Sequence, residues 1–420
     1  MNQDVIELVI IGGGAAGLAC ALTAARLGLR VLVLEKGPQC GRKLVLTGGK
    51  RCNFTHVATP REMAAKFSSP AGLVPLLKRF PYQRIRAFFE EIGIGSWVDE
   101  DGCVWPKELD ASGVRDRLVS ALISAGVVIR TGAQVVGLEP GWRVLLTDGS
   151  RVRTHNVVVA TGGASYPDTG SSGDGLVLAQ GLGLETVPWF PALASLEPKL
   201  DLSSLAGITQ SDVVMELLVP GDEVHRARGH FIFAHRFISG SSVLNLCGHA
   251  ARALMLGKPV SLRIDFQPEL THEALITLLN RARLERPRAQ VATVLSQLVA
   301  RRLARLLCSL AGVDPCRIMA NLTREEAKRV VHRLKAAELE IAGTEPLERA
   351  TVTGGGVSLS EVDLTTMAAR RFSGLYFSGE VLDVWAETGG YNLHFAFASG
   401  MAAAESVALA SGGRRSSAGS

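Results

Sequence analysis

The sequence predicts an α/β fold in which one Rossmann-like domain is assembled from two separated, discontinuous chain segments, with a β-rich and a helical insertion between them. Three observations predict it. A strand, a glycine turn and a helix open the chain. Residues from about 190 to 345 lose that rhythm. After residue 350 short apolar strands and glycine turns return and a last helix closes the chain.

Val5 to Ile11 is a short apolar run rich in β-branched residues, the pattern of a buried parallel strand. Gly12-Gly13-Gly14-Ala15-Ala16-Gly17 follows and satisfies G-x-G-x-x-G. Leu18 to Leu27 carries helix formers and Gly28 is its C-cap. A second apolar strand, Arg30 to Leu34, ends on Glu35. Each part has a physical role: Gly12 for the tight turn, Gly14 for close approach of a pyrophosphate, Gly17 for helix–strand packing. The helix start with Ala15 and Ala16 offers free N–H groups to phosphate. Glu35 stands where it accepts hydrogen bonds from a ribose 2′-OH. The unit therefore predicts dinucleotide binding.

Lys36 and a loop from Gly41 to Thr55 come next. The loop contains Arg42, Lys43, Thr47, Gly48, Gly49, Arg51, Cys52 and Asn53, a mixture suited to an anionic ligand. Residues 60–93 read as helical, 97–106 as strand or irregular, 112–125 as helix and 127–130 as strand. Segments 134–138, 142–147 and 150–153 read as a β-meander. Val157 to Val159 is a separate buried strand running into Ala160-Thr161-Gly162-Gly163, and a helix spans roughly 174–183. The expected domains are 1–190 and 346–410 for the two cofactor segments, 191–268 for a β-rich insert and 269–345 for a helical insert. Residues 411–420 read as a disordered tail.

The chain has 420 residues, is 47% hydrophobic and carries a net charge of +5, which marks a globular protein. That charge is mild for the length, and Arg281, Arg283, Arg286 and Arg288 read as a solvated helix face, so a small-molecule substrate is expected and no nucleic acid. Seven cysteines without C-x-x-C spacing indicate neither disulfides nor a metal site, which fits a reducing, cytoplasmic setting. No uninterrupted apolar run of spanning length predicts a membrane helix. Oligomeric state is not encoded in any feature of the chain.

The combined motifs resemble the BaiN/YhiN-type flavoproteins, also labelled aminoacetone-oxidase-like, a branch of the glutathione-reductase-like FAD proteins. The resemblance rests on Gly12 to Gly17 with Glu35, on Thr47 to Asn53, on Ala160 to Gly170 and on Thr353-Gly354-Gly355-Gly356-Val357. It rests also on Gly379-Glu380-Val381-Leu382-Asp383 and Thr388-Gly389-Gly390-Tyr391-Asn392-Leu393. It implies FAD and a discontinuous Rossmann-like FAD-binding domain in two segments with inserted β-barrel-like and helical domains; since the chain has no second G-x-G-x-x-G fingerprint, NAD(P)H is expected only as a transient reductant docking against the insert. By the same resemblance Arg42, Lys43, Thr47, Gly48, Gly49 and Asn53 would line the pyrophosphate, ribityl and ring region, Val135 would offer backbone to adenine, and Gly379 with Glu380 would meet the ribityl phosphate. The helix from Gly390 would point its N-terminus at the flavin. The stretches Phe233 to Ser241 and Asp383 to Glu387 depart from the family pattern. The activity so implied is FAD-dependent oxidoreduction, with a non-catalytic redox sensor or accessory module as the alternative. No catalytic residue is fixed by the sequence; His235, Tyr391 and His394 are candidate proton donors.

Overall fold

The computed structural model describes residues 6–221 and 224–417, so Val5 and the last three residues of the expected tail lie outside the described residues. Its contacts divide the chain into two units, 1–189 with 347–420, and 190–346.

In the first unit β1 (Ile6–Ile11), α1 (Ala15–Arg26) and β2 (Val31–Leu34) form the strand–turn–helix–strand opening. After the glycine-rich loop come β3 (Thr55–His56), α2 (Pro60–Ala64), α3 (Pro70–Arg79) and α4 (Tyr82–Glu90). Next are β4 (Ser96–Val98), β5 (Cys103–Pro106), α5 (Ala111–Ser124) and β6 (Val128–Arg130), then β7 (Val135–Glu139), β8 (Arg143–Leu146), β9 (Arg151–Val159) and α6 (Asp174–Gly181). β3, β5 and β4 make a small antiparallel sheet. The main sheet runs β6-β2-β1-β9-β8-β7. β2 is apolar and buried throughout, and β1 is apolar apart from Glu7 and buried from Leu8 onward, as strands inside a parallel sheet are.

One expectation is corrected here. The last meander strand and the buried strand are not separate: β9 is continuous. Arg151–Arg153 pair antiparallel with β8, while Thr154–Val159 pair parallel with β1. No glycine or proline stands between Arg153 and Val157, so nothing breaks the strand.

The second unit is a closed barrel entered by β10 (Thr186–Pro191), which begins before the boundary. Its strands are β11 (Leu196–Pro198), β12 (Thr209–Leu218), β13 (His225–Phe233) and β14 (Ile238–Ser239). α7 (Ser241–Met255) and β15 (Val260–Asp265) follow. α8 (His272–Glu285), α9 (Val291–Leu295), α10 (Arg301–Leu310) and α11 (Arg324–Lys335) lead to β16 (Ala337–Thr344). β16 falls in the stretch expected to be helical, yet it pairs with β15 and β11 and closes the barrel. Its alternation of buried and exposed residues is a half-buried strand's. The helices from α8 to α11 are thus an excursion between two barrel strands. α7, a 15-residue helix, interrupts the stretch read as β-rich.

The chain returns to the first unit through β17 (Thr353–Val357) and β18 (Leu375–Phe377), which pairs parallel with β9. α12 spans Tyr391–Ser417, so residues 411–417 continue the last helix instead of forming the expected disordered tail. By length and composition α12 could cross a membrane, but it is mostly buried against the protein. A Cβ on Gly400 would fall 2.2 Å from the Ala16 carbonyl oxygen, so α12 lies against the first turns of α1. All seven cysteines are free thiols.

Candidate functional site

The carboxyl ends of β1, β2 and β9 open on a cleft of about 580 Å³, part of it open to solvent. Three glycines that the sequence sets side by side do different things there. Gly12 has φ +103°, and a Cβ on it would lie 2.5 Å from the Ala160 carbonyl oxygen. A Cβ on Gly17 would lie 1.9 Å from the Gly12 carbonyl oxygen, so Gly17 seats the helix on its own turn. A Cβ on Gly14 would meet nothing within 4 Å. Gly14 is the N-cap of α1, and no side chain caps the free N–H groups of that helix. An open space before an uncapped helix start fits a phosphate group.

Glu35 is held at the end of β2 by two backbone donors: Gly13 N–H donates to Oε2 at 2.8 Å and Gly37 N–H to Oε1 at 2.6 Å. Gly12, Gly14, Glu35, Lys36, Arg42 and Lys43 line the cleft, as do Val135, Ala160 and Thr161. Thr169 and Gly170, at the end of the Ala160–Gly170 stretch, Ser171, and Asp174, the first residue of α6, line it as well. Lys36 Nζ donates to Asp174 Oδ2 at 2.9 Å and also to Ser172.

Farther along, Lys43 Nζ lies 2.7 Å from Glu380 Oε2 and donates to Ser165 Oγ at 2.7 Å. Glu380 Oε1 accepts from Thr353 N–H at 2.7 Å. This network joins the basic loop to the C-terminal segment. A Cβ on Gly379 would lie 2.8 Å from Ala16 Cβ, which fixes Glu380 beside α1. Gly162, φ +75°, faces Ser171 and Glu380.

The loop from Thr47 to Asn53 is strained. Gly48, Gly49, Lys50 and Cys52 all have positive φ. For Lys50 and Cys52 this costs about 1–3 kcal/mol each. Two predicted contacts change character here. The Cys52 side chain is fully buried and burial pushes its thiol up to about 12, so any ligand contact runs through its backbone. Arg51 stacks its guanidinium 4.2 Å from the centre of the Trp105 ring. The Thr47 hydroxyl donates to the Leu44 carbonyl at 2.6 Å.

At the start of α12, Gly389 and Gly390 have φ of +120° and +95°. A Cβ on Gly390 would lie 2.8 Å from the carbonyl oxygens of both Asn53 and Thr55. The glycine is therefore required by close packing on protein backbone, not only by an open approach to a ring. The Asn392 carboxamide is turned inward: Oδ1 accepts from Ala386 N–H at 2.9 Å and Nδ2 donates to the Ala386 carbonyl at 3.0 Å. It shapes the preceding loop. Tyr391 is buried, its ring 4.7 Å from that of His56.

The three proton-donor candidates do not converge. His394 is fully buried with Nδ1 on Thr55 Oγ1 at 2.7 Å, and burial pulls it down to about 4. His235 is exposed on the second unit, between β13 and β14. Only Tyr391 stands at the α12 start. Sequence reasoning missed its neighbours His56 and Cys103, which no motif marks and only the pairing of β3 with β5 brings together. Among the described residues no three His, Cys, Asp or Glu side chains form a metal-binding group.

Residues 6–406 match the family model of the HI0933-like protein Rossmann domain. The chain is 30% identical over 403 residues to the 3-dehydro-bile acid delta(4,6)-reductase of Clostridium scindens, covering 95% of this chain and 98% of that protein. It is 32% identical over 415 residues to the ribosomal RNA dihydrouridine synthase of Haemophilus influenzae, covering 96% and 98%. Among solved structures it is similar in fold to the 3-ketosteroid delta1-dehydrogenase of Sterolibacterium denitrificans, with a TM-score of 0.54, 14% identity, and coverage of 97% and 100%.

Proposed function

The chain belongs to the HI0933-like Rossmann family, and from that premise we propose that it is an FAD-dependent reductase of a carbon–carbon double bond conjugated to a carbonyl, with NADH or NADPH as the electron source. The observation that carries the cofactor is the open, uncapped start of α1 at Gly14, with Glu35 beside it. The free N–H groups of Ala15 and Ala16 would hold the pyrophosphate and Glu35 the adenosine ribose. Val135 would give backbone to adenine, and Lys43 with Glu380 would meet the ribityl chain. The α12 start, Gly389 to Asn392, would favour negative charge on the reduced ring. Bound there, FAD supplies hydride transfer.

The reaction class is supported by two of the full-length relatives. A delta(4,6)-reductase and a dihydrouridine synthase both denote saturation of a conjugated C=C bond. A second reading, that the acceptor is a uridine within RNA, is favoured by local charge. Residues 269–335 hold thirteen Lys or Arg against six Asp or Glu, although the whole chain is only +5. Arg286, Arg288, Arg301, Arg305 and Arg324 are exposed and make no ion pair among the described residues. Such a surface attracts phosphates.

Anaerobic reduction with NADH and NADPH, followed by reoxidation with a 4,6-dien-3-one steroid or a uridine-containing rRNA transcript, tests both. Saturated steroid or dihydrouridine, measured by mass spectrometry over many turnovers, is the expected product. A single stoichiometric flavin reduction with no acceptor turnover would identify a sensor instead.

A further inference from the structure

β3 and β5 pair in the register Thr55 with Val104 and His56 with Cys103. Gly390 seats the start of α12 on the Asn53 and Thr55 carbonyls. These two constraints gather His56, Cys103 and Tyr391 around one carbonyl. His56 Nδ1 lies 3.1 Å from the Gly389 carbonyl oxygen. Cys103 Sγ lies 3.7 Å from that oxygen and 3.7 Å from His56 Nδ1. The Tyr391 ring leans on His56, the residue is 5% exposed, and its hydroxyl makes no hydrogen bond among the described residues. His56 and Cys103 are only half-buried, so solvent reaches the group.

We propose that Cys103 donates the proton that completes saturation of the substrate double bond and that His56 reloads it. The proposal rests on the reductase reading above. With FAD bound, hydride delivery to the far carbon of the C=C bond would leave the π electrons on the carbon next to the carbonyl. The Cys103 S–H bond breaks as a C–H bond forms there, and the S–H pair stays on sulfur. The thiolate then takes the Nδ1 proton of His56 while Nε2 takes one from water. Balance requires one hydride and one proton per double bond, and NADH or NADPH restores the hydride.

The surroundings suit a donor. Burial, then the charges of Asp99 and Asp101, push the Cys103 thiol up to about 11, against a hydrogen bond from Asn53 and the charge of Arg51. The thiol is therefore protonated at neutral pH. Tyr391 is raised further by burial and by Glu387, which makes it the weaker acid.

The test separates proton-dependent from electron-only reoxidation. Reduced FAD-loaded protein is mixed in stopped flow with cyclohex-2-enone or a uridine-containing rRNA transcript, and in parallel with ferricyanide, which accepts electrons without a proton. In Cys103→Ala and Cys103→Ser the ratio of the two rates should fall by ~10²–10⁴-fold, the usual contribution of general acid catalysis. His56→Gln should keep one rapid turnover and then slow. A second readout is independent of turnover. Raising the pH of the oxidised holoprotein should produce a long-wavelength thiolate–flavin absorbance that is missing in Cys103→Ser. An unchanged rate ratio in a variant that retains FAD, or the same absorbance without Cys103, overturns the assignment. If the unmodified protein reduces its flavin but reoxidises with neither enone nor RNA, the reductase reading fails and this one falls with it.

Discussion

One methyl group placed at each of three neighbouring glycines should have two opposite outcomes. At Gly14 the backbone is extended, φ −77°, which alanine adopts without strain, and a Cβ meets nothing within 4 Å. Gly14→Ala should therefore fold normally and even gain about 0.4–1 kcal/mol from a less flexible unfolded chain. Its methyl would fill the space before the helix N–H groups. Losing one charge-assisted hydrogen bond to pyrophosphate costs about 1.5–3 kcal/mol, so FAD affinity should drop roughly ten- to more than a hundredfold. At Gly17 the same methyl lies 1.9 Å from the Gly12 carbonyl oxygen, an overlap with backbone that no rotamer relieves. Gly17→Ala should lose stability at or beyond the top of the ~1–3 kcal/mol overpacking range. Gly12→Ala combines a 2.5 Å clash with Ala160 and a φ of +103°, and should behave like Gly17→Ala. Thermal melts of apoprotein, followed by circular dichroism, and FAD titration by fluorescence quenching separate the two effects. Wild-type FAD affinity in Gly14→Ala, or a wild-type melt in Gly17→Ala, would refute the division of labour.

Gly390→Ala puts a Cβ 2.8 Å from two backbone carbonyls at φ +95°, and should lower stability by about 1–3 kcal/mol even without FAD, as an apoprotein melt will read. Glu380→Gln leaves Lys43 part-buried without its counter-charge and should cost on the order of 1–3 kcal/mol in urea unfolding; a double-mutant cycle with Lys43→Met should recover part of that loss. Because burial holds His394 down to about 4, the unfolded chain binds the extra proton first as pH falls below its ordinary 6.5. Stability contributed by the neutral ring is thus present above pH 6.5 and lost towards pH 4, at up to about 1.4 kcal/mol per pH unit. His394→Gln should flatten the dependence of unfolding free energy between pH 7 and 5; an unchanged slope would contradict the burial argument.

The opening βαβ unit was legible because its information is local. Strand, glycine spacing, helix and acid follow one another within 35 residues, and each is fixed by its own backbone requirement. A Cβ at Gly12 or Gly17 would clash with backbone, whereas one at Gly14 would meet nothing within 4 Å. β9 was split in the sequence reading because its first residues alternate and its last are continuously apolar. Those are two environments of one strand, antiparallel at one end and parallel at the other. β16 was hidden behind four helices, since what makes it a strand is a barrel whose other strands lie far back in the chain.

Charge and chemistry divide the same way. The net charge is a whole-chain average, and it conceals the basic excess of residues 269–335 that only a segment-by-segment reading exposes. The Lys43–Glu380 pair spans 337 positions, and the His56–Cys103–Gly389 cluster joins three segments, of which the two that supply its side chains at His56 and Cys103 carry no motif. By itself the sequence determined the fold class, the dinucleotide turn and the residues that need no partner to define their role: glycines, whose freedom is a property of the backbone, and an acid placed by strand length. Which side chains are free to react was decided by tertiary structure alone, because burial and hydrogen-bond partners are set by distant segments. Cys52 and Asn392 are turned inward, and half-buried Cys103 is set beside His56 and the Gly389 carbonyl, by contacts that no local spacing encodes.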